Sequence, residues 1–398
     1  MPVGAAAAGV RFAAAFFLSR CRCRGGSVLT GNGGRLLSAP HTDDEPVRLL
    51  TPDGDRVDHP DHRLETSPDQ LRSWYREMVV TRCVDAEGVT LQRQGELALW
   101  PSSLGQEAAQ IGSANGLAPG DHVFPSYRDH GVAIARGVDP MHIFRMFRGA
   151  TNGGWDPAER DFHLYTLVIG SQALHATGYA MGVAKDGADT VVIAYFGDGA
   201  TSQGDVSEAL NFAAVYQAPV VFFCQNNQWA ISERTERQSR VPLYRRAAGF
   251  GLPGVRVDGN DVLACVAVTR EAVARARRGE GPTLVEAFTY RMGAHTTSDD
   301  PTRYRDAEEV AEWAAKDPIS RLRAHLEKTG QADAAFFAEV DAEGERLARD
   351  VRATVRTMPD PDFGELFGQV YAGEHPLMTE EAAWYREYAD SFVDAKGS

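Results

Sequence analysis

Gly197–Ile231 reads GDGATSQGDVSEALNFAAVYQAPVVFFCQNNQWAI. It follows the apolar run Thr190–Phe196 (TVVIAYF) and encloses a second run, Pro219–Cys224 (PVVFFC). Runs that are apolar at nearly every position predict strands buried on both faces. Between them, Val206, Leu210 and Ala213 share one side of a helix over Val206–Tyr216. Strand, helix, strand in that order predicts a parallel sheet covered on both faces. Leu284–Phe288 (LVEAF) reads as a third, weaker strand, reached through a helix over Val262–Arg278 that Gly279 ends. The fold class is therefore α/β, with a mostly parallel sheet and helices on both faces.

Both ends of the quoted stretch fall at the carboxyl edge of that sheet, where α/β proteins bind ligands. Gly197 and Gly199 allow a tight turn and close approach by a ligand. Asp198 is a hard oxygen donor suited to magnesium. The 26 residues between Gly199 and Asn226-Asn227 make one helix and one strand, which return the chain to the same edge. There the Asn227 amide oxygen and a backbone carbonyl near Trp229 complete the protein's share of an octahedral shell. Magnesium leaves other positions to phosphate oxygens and water, so the expected guest is a diphosphate. A dinucleotide fingerprint needs glycine at position 202, which is Ser202, and a Walker loop needs Gly-Lys, which occurs nowhere.

Farther out, Ser67-Pro68 caps and opens a helix running to about Leu97, with Leu71, Trp74, Met78 and Val79 on one face. A helix starts at Asp317-Pro318 and ends near Gly330, and Ala332–Thr357 reads as an amphipathic helix. These signals divide the chain into three parts. Residues 1–45 form a disordered extension, residues 46–330 a diphosphate- and magnesium-binding domain, and residues 331–398 a C-terminal helical region.

A net charge of −14 argues against a nucleic-acid partner. No apolar run reaches the roughly 18–20 residues of a membrane helix. Five scattered cysteines suggest free thiols in a reducing compartment. Residues 1–42 hold five arginines and no acid. That composition fits a disordered tail, a start placed too early, or a mitochondrial transit peptide. The scarcity of lysine, four against 37 arginines, points to a GC-rich bacterial genome and a bacterial cytoplasm, with the mitochondrial matrix as the alternative.

GDG followed by NN resembles the thiamine-diphosphate motif. The surrounding residues resemble the alpha subunit of the decarboxylating component of 2-oxo acid dehydrogenase complexes. They include GQEA at Gly105–Ala108, SYRDHG at Ser126–Gly131, NNQWAIS at Asn226–Ser232, RVDGND at Arg256–Asp261 and TYRMGAHTTSDDPTRYR at Thr289–Arg305. QWAIS, the DGND turn and TSDDP are most similar to the branched-chain members, which act on substrates such as 2-oxoisovalerate. The alternative is pyruvate as substrate; more distant alternatives are a split transketolase half and an inactive structural paralogue.

The resemblance implies a thiamine-diphosphate-binding fold, with thiamine diphosphate and Mg2+ as cofactors. Asp198, Asn227 and the Trp229 carbonyl are implied as metal ligands. Tyr127, Arg128, and the Gly199 and Ala200 amides at a helix N-terminus are implied as diphosphate contacts. Ile169, with Leu167 nearby, is implied as the apolar wedge that bends the cofactor. His295 is implied as the active-site histidine, assisting acyl transfer with a pKa near its usual 6.5; His130 is left as support for the same loop. The glutamate that activates the cofactor is expected on a separate beta subunit, in a two-alpha, two-beta assembly. The acyl group is expected to pass to a lipoyl group on an acyltransferase partner. Thr296 and Asp306 stand where animal relatives carry regulatory serines, so kinase control is not expected. Gln225 replaces an arginine of some relatives.

Overall fold

The computed structural model describes residues 44–151, 153–359, 363–368 and 370–392. Residues 1–43 of the N-terminal extension lie outside the described residues. Five parallel strands form the central sheet: β1 His122–Phe124, β2 Val192–Gly197, β3 Val220–Asn226, β4 Gly254–Asp258 and β5 Thr283–Phe288. Their spatial order is β1-β2-β3-β5-β4, every pair parallel. Val47 adds a parallel bridge beside β4, at Val257.

The continuous apolar runs have the meaning their pattern implies. Ile193, Tyr195, Val221, Phe223 and Val285 face one core. Their alternates Val192, Ala194, Phe196, Val220, Phe222 and Leu284 face the other. The first face is covered by α1 Pro68–Arg93, α2 Glu107–Ala114 and the later helix Val262–Arg277. The second is covered by α3 Ser171–Asp186 and α4 Gly204–Tyr216. The later helices are α5 Val262–Arg277, α6 Pro318–Lys328, α7 Ala334–Thr357 and α8 Pro376–Asp390.

Local chemistry sets the boundaries. The Ser67 hydroxyl accepts the Gln70 N–H at 3.2 Å, and the Gln70 amide oxygen accepts the Ser67 N–H at 3.0 Å, a reciprocal cap on α1. The helix ends at Arg93, short of Leu97, because Gly95 turns at φ +81°. α7 shares the core of α1 through Phe337, Val340, Val351 and Val355, and Gly344 lets it approach Cys83, where a Cβ would sit 2.6 Å from Sγ.

The DGND turn after β4 is a junction. Buried Asp261 caps α5 by accepting the Leu263 and Ala264 N–H groups at 3.0 and 3.1 Å. Its other oxygen accepts the Leu49 and Leu50 N–H groups, both at 2.6 Å. Asp261→Ala leaves four backbone donors without this partner and is expected to destabilise the fold by about 2–4 kcal/mol. Thermal unfolding of the full chain checks this; an unchanged midpoint would contradict it.

Candidate active site

The loops that leave β1, β2, β3 and β5 converge on one cavity of about 260 Å³ at the carboxyl edge of the sheet. Asp198, Asn227 and Trp229 line it, together with Tyr127, Arg128, Gly199, Ala200, Ile169 and His295. Nine of the ten residues singled out in the sequence therefore meet there. Leu167 does not line the cavity; it is 62% exposed.

The oxygen-rich wall comes from β2 and β3. Asp198 is buried, and its Oδ2 accepts from the Thr235 hydroxyl at 2.9 Å and the Gln238 amide at 3.2 Å. Burial pushes its carboxyl up to about 6 against those two bonds. Among the described residues no cation pairs with Asp198, so the cavity offers a buried carboxylate that a metal ion would return to its ionised form. The Asn227 Nδ2 donates to Gln106 at 3.1 Å, while its Oδ1 accepts the Trp229 N–H at 3.3 Å. Gln228 and Ile231 bracket the Trp229 hairpin at φ +70° and +55°. Such left-handed backbone at non-glycine residues is strained and collects at functional sites. Among the described residues no group of three or more His, Cys, Asp or Glu could hold a metal. The wall instead offers one carboxylate and two neutral oxygens, a set that fits magnesium sharing its shell with phosphate.

Gly199 and Ala200 do not sit at the N-terminus of α4. They belong to a 3-10 turn, Asp198–Ser202, which Gln203, in extended conformation, separates from the helix. Gly199 is required by the approach of the Trp229 hairpin, since a Cβ there would lie 2.8 Å from that of Ala230.

Two cations serve the cavity: Arg128 lines it, and Arg291, which does not, binds carbonyls of two residues that do, Trp229 and Ile231. Buried Arg128 donates to the Ser102 carbonyl at 2.6 Å and the His295 carbonyl at 2.8 Å. Fully buried Arg291 donates to the Trp229 carbonyl at 3.1 Å, the Ile231 carbonyl at 2.8 Å and the Tyr304 hydroxyl at 2.8 Å. Among the described residues neither guanidinium pairs with a carboxylate. Burial and the charge of Arg128 pull Arg291 down to about 10. Two buried cations held only by neutral acceptors suit a polyanion. The Trp229 carbonyl keeps a second lone pair beyond its bond to Arg291.

Both guanidiniums approach the same atom, His295 Nδ1, at 3.3 Å each. Two donors can share that nitrogen only if it carries no proton, so the ring proton is on Nε2. Burial, then Arg128, then Arg291 pull the imidazole down to about 3. The ordinary titration near 6.5 expected from sequence is thus displaced by the cations beside it. Asp299 fixes the loop by accepting the His295 N–H at 2.7 Å, and Arg305 clasps the Met292 and Gly293 carbonyls at 2.8 and 3.0 Å.

His130 stays outside the cavity. Its Nε2 faces the Pro101 carbonyl at 3.0 Å, so Nδ1 accepts from the Tyr165 hydroxyl at 3.0 Å. Stacked 4.6 Å from Trp100, it supports the loop whose Ser102 carbonyl holds Arg128. Asp306 caps the helix Ala307–Ala314. Gln225 lines the cavity and donates to the buried Asp129. Gln106, Thr235, Gln238 and Arg291 were missed as site residues, although GQEA and TYRMGAH contain Gln106 and Arg291.

The lowered histidine pKa has a direct readout. A base whose pKa falls is neutral at higher pH and gains its proton only on acidification. The His295 imidazole in the ligand-free chain should show no NMR titration between about pH 5 and 8. A midpoint near the ordinary histidine value would overturn the arrangement of Arg128 and Arg291 around Nδ1.

Comparison with known proteins shows the family. The family model described as "Dehydrogenase E1 component" matches residues 75–362. The 3-methyl-2-oxobutanoate dehydrogenase subunit alpha of Mycobacterium tuberculosis is 49% identical over 340 residues, 85% of this chain and 92% of that one. The pyruvate dehydrogenase E1 component subunit alpha of Staphylococcus aureus is 39% identical over 324 residues, 81% of this chain and 86% of that one. The family model matches most of the chain and the Mycobacterium tuberculosis relative covers 85% of it, so this protein belongs to the dehydrogenase E1 component family.

Proposed function

We propose that this chain is the alpha subunit of a branched-chain 2-oxo acid dehydrogenase and that its cavity holds thiamine diphosphate through Mg2+. One observation carries the reading: the hard oxygens of Asp198, Asn227 and Trp229 share one cavity with Arg128, Arg291 binds the Trp229 carbonyl, and among the described residues neither guanidinium has a carboxylate partner. A divalent cation would balance the oxygens, and a diphosphate the guanidiniums. The 49% identity to a 3-methyl-2-oxobutanoate dehydrogenase alpha subunit, against 39% to pyruvate enzymes, supports the branched-chain substrate class. Bacterial relatives support a bacterial cytoplasmic setting. No described helix is long and apolar enough to cross a membrane.

Thiamine diphosphate supplies the electron sink for losing CO2 from a 2-oxo acid. The chain's own residues bind and orient it. Arg128 and the 3-10 turn at Gly199-Ala200 would contact the diphosphate, and Ile169 would support the apolar body. The Nε2–H of His295, which neither guanidinium contacts, would donate to an oxygen of the ligand or substrate. An anion beside Arg128 and Arg291 offsets their pull and raises the imidazole's proton affinity, which suits it to acyl transfer toward a lipoyl group.

The cavity needs a partner. No glutamate lines it among the described residues. At its edge Leu167, Val168 and Ile169 are 62%, 72% and 38% exposed, an apolar run that a second subunit would cover. A beta subunit supplying that glutamate, in a two-alpha, two-beta assembly serving a lipoyl acyltransferase, completes the reading.

Two experiments test it. Asp198→Ala should abolish Mg2+-dependent thiamine diphosphate binding by calorimetry while leaving the unfolding free energy within about 1 kcal/mol of the parent, because it removes a buried carboxylate without a partner cation. Unchanged cofactor affinity would refute the metal assignment. The alpha chain alone should show no decarboxylation, and the reconstituted pair should prefer 3-methyl-2-oxobutanoate to pyruvate with an artificial electron acceptor. The two substrates differ by two CH2 units and an apolar pocket separates a single methylene by about 10–200-fold, so the preference should be at least about tenfold. A preference for pyruvate would favour the reading that the Staphylococcus aureus relatives suggest.

A further inference from the structure

We propose that Gln106 is a positioning residue that, together with the Trp229 N–H, holds the oxygen face of the Asn227 amide toward the metal. The inference rests on the metal site proposed above. Side-chain amides can turn over, and only the oxygen face of Asn227 can ligate a cation. A directional chain of hydrogen bonds decides the orientation. The Trp229 N–H can only donate, so the Asn227 atom 3.3 Å from it is Oδ1. Nδ2 then points to Gln106 and donates to its Oε1 at 3.1 Å. Turning both amides over would set the Asn227 NH2 against the Trp229 N–H, two donors face to face.

Gln106 is suited to this work by its placement. It is 1% exposed and immediately precedes α2, every residue of which is buried. Its side chain makes no capping bond to that helix, so replacing it does not uncap α2. Its Nε2 is buried without a hydrogen-bond partner. The amide therefore contributes through its oxygen alone. A residue that offers two oxygens in the same shape keeps the contact and removes the unsatisfied donor.

The test is Mg2+ titration by calorimetry of the full chain, reconstituted with a beta subunit, at saturating thiamine diphosphate. Gln106→Met keeps the size of the side chain and deletes the acceptor. It should weaken Mg2+ binding about 10–100-fold, the usual loss when a partner of a metal ligand is removed. Gln106→Glu keeps the acceptor and should bind Mg2+ within about threefold of the parent. Thermal midpoints of both variants should stay close to the parent, which separates positioning from a structural role. Parent-like Mg2+ affinity in Gln106→Met, or equal losses in both variants, would overturn the proposal. Asp198→Ala, run in parallel, distinguishes the two levels. If it loses Mg2+ while Gln106→Met does not, only the positioning role falls. If it retains Mg2+, the metal site and this inference fall together.

Discussion

Two guanidiniums, Arg128 and Arg291, are buried around one unprotonated nitrogen of His295 and hold no carboxylate among the described residues. An uncompensated buried cation costs several kcal/mol in a protein interior. Two of them together persist only because the surrounding backbone is arranged to accept from them. Arg128 rests on the Ser102 and His295 carbonyls, and Arg291 on those of Trp229 and Ile231. The same contacts tie the loops after β1, β3 and β5 together. The positive field that draws an anion is thus also the clasp that shapes the cavity.

The scaffold beneath supplies the rigidity. Buried Asp85 on α1 accepts from the Trp100 indole, the Ser102 hydroxyl and the Ser103 N–H at 3.0, 2.6 and 2.9 Å. That fixes the loop against which Arg128 is braced. Gly105, at φ +92°, lies so close to the Tyr290 carbonyl that a Cβ would meet it at 2.6 Å. Gln106 and the loop after β5 are therefore held side by side. A site on preformed loops anchored to a sheet buried on both faces gives little ground when a ligand arrives.

The parts legible in the sequence were those with strong periodicity. β2, β3 and β5 and the helices α4, α5, α6 and α7 follow from continuous apolar runs or one-sided helical spacing. The edge strands were not legible. β1 is three residues long, and β4 contains Arg256 and begins at Gly254, so neither offers an apolar run. α3 was hidden by Gly178 and Gly182, both poor helix formers. Asp198 and Asn227 could be found because chemistry and spacing coincide there. Arg291 and Gln106 could not be singled out, because their roles depend on which carbonyl or amide the fold sets opposite them. The depressed proton affinity of His295 likewise arises from burial and from two arginines 167 and 4 residues away in the chain.

The central claim is that the buried carboxylate and the buried guanidiniums are two halves of one site, balanced by a cation and an anion together. Linkage makes that claim measurable: each ligand must then strengthen the other by the same factor. The decisive measurement is the thiamine diphosphate affinity of the reconstituted alpha–beta pair at saturating Mg2+ and again with the metal chelated. The account predicts a coupling of at least about tenfold, with the same factor recovered when Mg2+ is titrated with and without thiamine diphosphate. Equal thiamine diphosphate affinity in the two conditions would contradict it.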